Sequence, residues 1–267
     1  MYWGFYFVVI PDGNGIGIRD LHDVLEELRQ NGDWEPDISD TDAGASRARK
    51  SDSNSRIATR ALKKVLAARI VAFELFLEAV IKVDKKLEEK HKRSWLLFQL
   101  SNPRANTSDT HPVVQIMNNC LRQASNDALD ELIQGLDVIR EKYFSRTHFI
   151  VAVDEAQQAV RLYRHPFLSS TNATKYRSII REISKVFTAQ PVKLVVSGTG
   201  VTMDDLRDAM ASGVSKYDTV GLYHKLGMFD TWPTLSSFLE RYLPDTLLES
   251  PSWNCLRTRI QEYLMGR

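Results

Sequence analysis

Residues 148–157, HFIVAVDEAQ, form a continuous apolar run that ends in two adjacent carboxylates. A run without polar alternation is typical of a central strand in a parallel sheet, where helices cover both faces. Ligands of such sheets bind at the carboxyl ends of the strands, which is where Asp154 and Glu155 lie. The stretch therefore predicts a buried strand that delivers acidic side chains to a site. The alternative is a strand followed by a helix whose first turn carries acids that complement the helix dipole.

A second apolar run, VKLVV at residues 192–196, is followed directly by the small polar segment SGTG. Between the two runs, apolar residues recur at helical spacing over 175–189, which predicts one crossover helix. Ser197 and Thr199 are therefore candidates for the same site as the two carboxylates. The alternative is a plain turn into a helix that Thr202 caps.

The composition indicates a folded protein. The chain has 267 residues, of which 43% are hydrophobic and 26% charged, enough for one large or two small domains. A net charge of +1 does not indicate a nucleic-acid partner or a membrane-surface partner. Cys120 and Cys255 imply no disulfide framework. Because neither a membrane span nor a signal peptide is visible, we expect an intracellular protein of the cytoplasm or nucleus.

The N-terminal part of the chain predicts mostly helix. Residues 2–10 predict a strand, and a glycine-rich turn leads from it into a helix over 20–30. Residues 36–56 contain almost no large apolar side chain, which predicts a polar, solvated loop or a disordered linker. Its basic segment RARK, at 47–50, leaves nucleic-acid contact as an alternative. A long amphipathic helix is expected over 57–92.

The rest of the chain alternates helical and extended patterns. Residues 95–100 are either a strand or a buried helix end, since periodicity does not distinguish the two. Residues 111–144 predict a helix that is broken near Gly135. Further helices are expected over 204–211, 235–242 and 253–264.

Five segments of the chain resemble the P-loop ATPase domain of Crinkler-type proteins and related fungal ATPases, within the broad AAA/STAND class. They are YWGFYF (2–7), VAVDEAQ (151–157), VVSGTG (195–200), GMFD (227–230) and RIQEYLMGR (259–267). The resemblance covers most of the chain, and its most specific parts are DEAQ and SGTG.

This resemblance implies an α/β fold, a three-layer α-β-α sandwich with a mainly parallel sheet. Residues 1–230 would form an incomplete P-loop NTPase-like domain, and 231–267 a helical C-terminal extension that starts a lid. In such domains the aromatic strand directly follows the phosphate-loop helix. The chain is therefore expected to begin just after that helix, without the first strand and the phosphate loop.

The resemblance also implies roles for particular residues, with Mg²⁺ and ATP as the cofactors. Asp154 corresponds to the Walker B acid that holds Mg²⁺ through water, and Gln157 would help to bind the nucleotide. Glu155 would polarise the attacking water. Ser197 and Thr199 would sense the γ-phosphate. Arginine-finger candidates are Arg241, Arg257, Arg259 and Arg267, whose alternative interpretation is solvated helix charge.

The chain contains no G-x-x-x-x-G-K-[ST] segment, the Walker A loop that holds the β- and γ-phosphates. One hypothesis is therefore a fragment or degenerate form of a P-loop ATPase that does not hydrolyse ATP alone. The alternative is a non-catalytic effector module that binds an unknown protein partner; self-association is possible in either case. A metal nuclease, suggested by Asp12 and the E-x-K pattern of Glu88 and Lys90, fails because that pattern lies on a predicted helix.

Overall fold

A parallel sheet of three strands, combined with helices, gives the described part of the chain a mixed α/β fold. The structure is a computed structural model and describes residues 3–9, 17–38, 41, 43–100, 111–144, 149–163, 165–168, 176–189, 192–198, 231–240, 243 and 245–264. The chain divides into two compact units, Met1–Tyr217 and Asp218–Arg267. The predicted domain boundary at residues 230 and 231 stays a prediction.

The elements of the first unit are described in chain order. They are β1 (Trp3–Val8), α1 (Asp20–Gln30), α2 (Gly44–Asp84), α3 (Glu89–Leu100), α4 (Pro112–Gln115) with a π-helical turn (Ile116–Cys120), α5 (Asn126–Tyr143), β2 (Phe149–Asp154), α6 (Ala156–Leu162), β3 (Phe167–Leu168), β4 (Tyr176–Arg177), α7 (Ile180–Phe187) and β5 (Val192–Val196). The second unit contains α8 (Trp232–Leu239), α9 (Asp245–Leu248) and α10 (Trp253–Leu264).

The strand order of the main sheet is β1–β2–β5, and both pairings are parallel. Phe5 of β1, Val151 of β2 and Leu194 of β5 lie opposite one another. Along β2, fully buried residues alternate with partly exposed ones. One sheet face is therefore buried, whereas we expected a strand buried on both faces. β3 and β4 form a separate antiparallel pair.

Phe73 of α2 is the centre of the aromatic core on the buried face. Its ring is fully buried, because rings from β1, β2, α3 and the end of α5 surround it. The ring centroids at 4.9–5.9 Å from it belong to Trp3, Phe5, Trp95, Phe144 and Phe149. Large aromatic rings bury much apolar area each, and this cluster holds α2 across the sheet.

The outer edge of β1 is covered by side chains of α3. The Gln99 carboxamide accepts from the Tyr6 N–H at 2.9 Å and donates to the Gly4 carbonyl at 3.1 Å. The Trp95 indole N–H donates to the same carbonyl at 2.8 Å. Exposed strand edges invite further pairing, and here an amide side chain takes the place of a neighbouring strand.

A fully buried ion pair contacts the Gln99 side chain that covers this edge. The Arg69 guanidinium and the Asp20 carboxylate are both inaccessible to solvent, and their Nη2–Oδ1 distance is 2.9 Å. Arg69 Nη1 donates to Gln99 Oε1 at 3.1 Å, and the guanidinium lies 4.7 Å from the centre of the Phe7 ring. Buried charges persist when they are paired and hydrogen-bonded, as these are.

The polar loop predicted over 36–56 is wrong from Gly44 onward, because α2 begins there and continues for 41 residues. The small polar residues of this stretch serve a buried helix face. Asn54, fully buried, donates to the carbonyls of Glu35 and Pro166 and accepts from the Glu35 N–H. The helix ends at Asp84 instead of near residue 92, with Lys85 in the left-handed conformation.

Of the other helix predictions for the first unit, some are confirmed and others are wrong in their bounds. The helix over 20–30 is confirmed, and residues 95–100 lie in α3. The predicted break near Gly135 is wrong, because α5 passes through it without interruption. The helical segment is interrupted earlier, between Cys120 and Asn126. The crossover helix is shorter than predicted, since β4 precedes α7.

In the second unit, the helix predicted over 253–264 is confirmed, and the one over 235–242 begins earlier, at Trp232. The helix predicted over 204–211 and the GMFD segment lie outside the described residues. No helix among the described residues combines the length and the apolar character that a membrane span requires.

Candidate functional site

Asp154 ends β2 and lies at the carboxyl edge of the sheet, next to the end of β5. Its half-buried carboxylate accepts three hydrogen bonds. Oδ1 accepts from Ser197 Oγ at 2.6 Å and from the Glu155 N–H at 2.9 Å, and Oδ2 accepts from Tyr6 Oη at 2.7 Å. The parallel order of the strands therefore brings together two side chains predicted from separate sequence motifs.

Ser197 is positioned by the continuation of the β2–β5 pairing beyond β5. Its N–H donates to the Val153 carbonyl at 2.9 Å, and its own carbonyl accepts from the Ala156 N–H at 3.0 Å. The residue is thus fixed on both sides by backbone bonds to the β2–α6 connection. Its hydroxyl is held against Asp154 without the help of a flexible loop.

Glu155 occupies the left-handed region, with φ 56° and ψ 31°. Only a few non-glycine residues adopt this conformation, which costs about 1–2 kcal/mol. It turns the chain sharply between β2 and α6, so that the Glu155 N–H points back at Asp154. Strained backbone of this kind is concentrated at functional sites. The Glu155 side chain is partly exposed.

Gln157 lies in the first turn of α6 and donates through Nε2 to Glu155 Oε2. Gly198, which follows Ser197, lies against the start of α6. A Cβ at position 198 would be 2.2 Å from Gln157 Oε1 and 3.1 Å from the Ala156 nitrogen. The segment after β5 packs closely against α6, so a larger residue at 198 would displace the Gln157 side chain and crowd the backbone of α6. The SG part of the SGTG motif has a steric reason as well as a polar one.

Tyr6 is the site residue that the sequence reasoning missed. It lies in β1 opposite Ala152, on the face away from Phe5 and Phe7, and its hydroxyl reaches the carboxylate two positions further along β2. Diagonal neighbours on paired strands are within reach of long side chains. A sequence signal for Tyr6 was present: in WGFYF at residues 3–7, Tyr6 carries a hydroxyl between the apolar rings of Phe5 and Phe7. We call Tyr6, Asp154, Glu155, Gln157 and Ser197 the Asp154 cluster.

The hydrogen bonds decide the charge of the Asp154 cluster. Burial alone would raise the pKa of Asp154, but the donors of Ser197, Tyr6 and the Glu155 amide outweigh it and hold the pKa below its ordinary value. Burial, and then the carboxylate that it contacts, raise the pKa of Tyr6 far above its ordinary value. At neutral pH the pair is therefore a carboxylate and a protonated phenol.

The carboxylate oxygens of Asp154 could hold a metal ion through a water molecule. Each oxygen of a carboxylate offers about two acceptor positions. In Asp154, described groups fill two on Oδ1 and one on Oδ2. One position on Oδ2 is left for a water molecule, and Mg²⁺ keeps several waters when one or two carboxylates hold it. Among the described residues, no group of three or more His, Cys, Asp or Glu side chains could cage a metal directly.

Some predicted site residues are not part of this geometry. Thr199, Arg241 and Arg267 lie outside the described residues. Arg257 belongs to the second unit, where its guanidinium lies 4.4 Å from the centre of the Trp232 ring. Arg259, in the same unit, is exposed on α10.

Comparison of the chain with protein-family models, with curated proteins and with solved structures gives no match. A functional assignment therefore rests on the residues of the Asp154 cluster and on their geometry.

Proposed function

We propose that the Asp154 cluster is the metal-holding half of a nucleoside triphosphate site, built on a P-loop NTPase-like α/β fold. The observation that carries this proposal is the 2.6 Å hydrogen bond from Ser197 Oγ to Asp154 Oδ1 at adjacent ends of β5 and β2. Ligands of parallel sheets bind at this edge. The pairing joins the acid motif and the small polar motif that the resemblance to P-loop ATPases assigns to one site.

Each member of the cluster has a distinct role in the proposal. Asp154 holds a water of the Mg²⁺ shell on the remaining acceptor position of Oδ2. Ser197 and Tyr6 orient that carboxylate and keep it ionised. Glu155 orients the attacking water, and Gln157 fixes the Glu155 carboxylate through its amide. A bound Mg²⁺–nucleotide supplies the phosphoryl group and neutralises its charge.

Turnover by this chain alone is not part of the proposal. The sequence contains no Gly-Lys pair followed by Ser or Thr, so the backbone cradle and the lysine that bind the β- and γ-phosphates have no counterpart in it. Phosphate-loop contacts supply much of the affinity for a nucleotide. We therefore expect weak, metal-dependent ATP binding and no hydrolysis.

The test is a two-dimensional NMR titration of the ¹⁵N-labelled chain with ATP and Mn²⁺, which replaces Mg²⁺ and broadens nearby amide signals. We expect broadening centred on the amides of residues 154–157 and of Ser197. It should disappear in Asp154→Asn, which keeps the shape of the side chain. The matched control is Asp33→Asn, the same change at an exposed position, where broadening should persist.

Three results would contradict the proposal. Broadening that is unchanged in Asp154→Asn would show that the metal lies elsewhere. Phosphate release by the wild-type chain that Glu155→Gln abolishes would show that the site is complete without a Walker A loop. If no amide responds to ATP and Mn²⁺, the alternative gains support: a non-catalytic interaction module on the same scaffold.

A further inference from the structure

A pocket of about 230 Å³ lies between α2, α5 and α7, and no residue of the Asp154 cluster lines it. Four of its lining residues are cations: Arg56, Arg60 and Lys63 from one side of α2, and Lys185 from α7. Residues four apart on a helix are neighbours, and like charges there repel each other. The repulsion among these cations is small in water, and an anion that binds among them relieves it.

Acidic side chains offset two of these cations. Lys63 Nζ lies 2.6 Å from an Asp130 carboxylate oxygen, and Lys185 Nζ lies 3.5 Å from Glu182 Oε2. The single charge of Glu182 is shared, because Arg181 lies 3.7 Å from its other oxygen. Within the described part of the chain, Arg56 and Arg60 have no carboxylate within 4 Å. Counted over the described residues, two of the four cations that line the pocket are therefore not paired with a carboxylate.

One of these cations is already held in place. Arg60 donates to the Ala124 carbonyl at 2.7 Å and to Asn126 Oδ1 at 3.0 Å. Neutral acceptors fix the guanidinium without cancelling its charge, so little side-chain entropy remains to be lost when an anion binds. Asn126 is also the first residue of α5, an 18-residue helix, and its positive dipole end adds to the field of the pocket.

We propose that this pocket binds a phosphate group, either inorganic phosphate or pyrophosphate or the phosphoryl group of a small molecule. A phosphate group carries a charge of about −1.5 to −2 at pH 7, which matches the two cations that are not paired with a carboxylate. Guanidinium forks bind phosphate oxygens in pairs, and the Ser55 hydroxyl lines the same wall. Ligand pockets for larger molecules start at about 300 Å³, so this volume suits a small anion.

The test is calorimetric titration of the full chain with pyrophosphate at low salt, with EDTA present and in an Asp154→Asn background. Both conditions silence the Asp154 cluster, so failure of either proposal leaves the other untouched. We expect saturable binding that Arg56→Gln weakens about 10- to 100-fold, the loss of one hydrogen bond to a charged group. Arg56 is exposed, so this variant keeps its fold, which its circular dichroism spectrum checks.

The matched control is Arg93→Gln, an exposed arginine of α3 that does not line the pocket. It should leave the affinity unchanged. Tighter binding of glycerol 3-phosphate than of inorganic phosphate would identify a phosphoryl group on a carrier as the ligand. The proposal is overturned if pyrophosphate shows no saturable binding, if both arginine variants weaken it equally, or if only a single-stranded oligonucleotide binds.

Discussion

Replacing Tyr6 with phenylalanine removes one of the three hydrogen bonds that Asp154 accepts and leaves the ring in place. The bond from Tyr6 Oη to Asp154 Oδ2 is 2.7 Å long. A hydrogen bond to a charged group contributes about 1.5–3 kcal/mol to stability. Because water reaches this half-buried carboxylate in part, we take the lower end and expect a loss of about 1.5 kcal/mol at neutral pH.

The loss should depend on pH in a direction that the charge of Asp154 fixes. The folded-state pKa of Asp154 is depressed, so its stabilising contribution is present above the pKa of the unfolded chain. That contribution is lost as the pH falls through the folded-state pKa. Tyr6 keeps its proton throughout, because its own pKa is raised. The difference between wild type and Tyr6→Phe should therefore shrink below about pH 4.

Urea denaturation between about pH 7 and pH 3, followed by circular dichroism and tryptophan fluorescence, measures this difference. Tyr163→Phe is the matched control, because that hydroxyl donates to the neutral Leu25 carbonyl and its loss should not vary with pH. In an Asp154→Asn background, Tyr6→Phe should cost about 1 kcal/mol less than in wild type. An equal cost at every pH, or no coupling between the two positions, would refute the role given to Tyr6.

Three further changes test the packing around the site by the free energy of unfolding. Arg69→Met should cost about 3–5 kcal/mol by leaving Asp20 buried without its partner, and adding Asp20→Leu should restore most of it. Gly4→Ala should cost about 3 kcal/mol, since its Cβ would lie 2.0 Å from a carbonyl oxygen of β2, whereas Gly135→Ala, in open space within α5, should stabilise by about 0.5–1 kcal/mol. Glu155→Gly should be about 1 kcal/mol more stable than Glu155→Ala, and equal stabilities would contradict the left-handed conformation.

The strands of the site follow from local sequence patterns. VKLVV predicts β5 with its observed bounds, and the apolar run before Asp154 predicts β2. A long gap that contains a helix makes the two strands parallel, so their carboxyl ends meet at one edge. The contact between Asp154 and Ser197 could therefore be predicted from the sequence.

The N-terminal part of α2 could not be predicted from the sequence, for a physical reason. Local composition there resembles a linker, and the stabilising contacts come from residues far away in the chain. Ser51 Oγ accepts from the Leu168 N–H, and Asn54 binds the Pro166 carbonyl. Polar residues that bond backbone groups far away in the chain do not recur at helical spacing. The sequence therefore shows only that this stretch is hydrophilic.

Glu155 shows how far the fold alone explains the Asp154 cluster. The turn after β2 needs a left-handed residue, and glycine would adopt that conformation without the strain. The backbone N–H of residue 155 would still donate to the Asp154 carboxylate, and the Ala156 N–H would still donate to the Ser197 carbonyl. Glycine would adopt the left-handed conformation without strain, but it would lose the contact with Gln157. Two things therefore favour glutamate at this turn: the hydrogen bond from Gln157, and the role that we propose for the carboxylate.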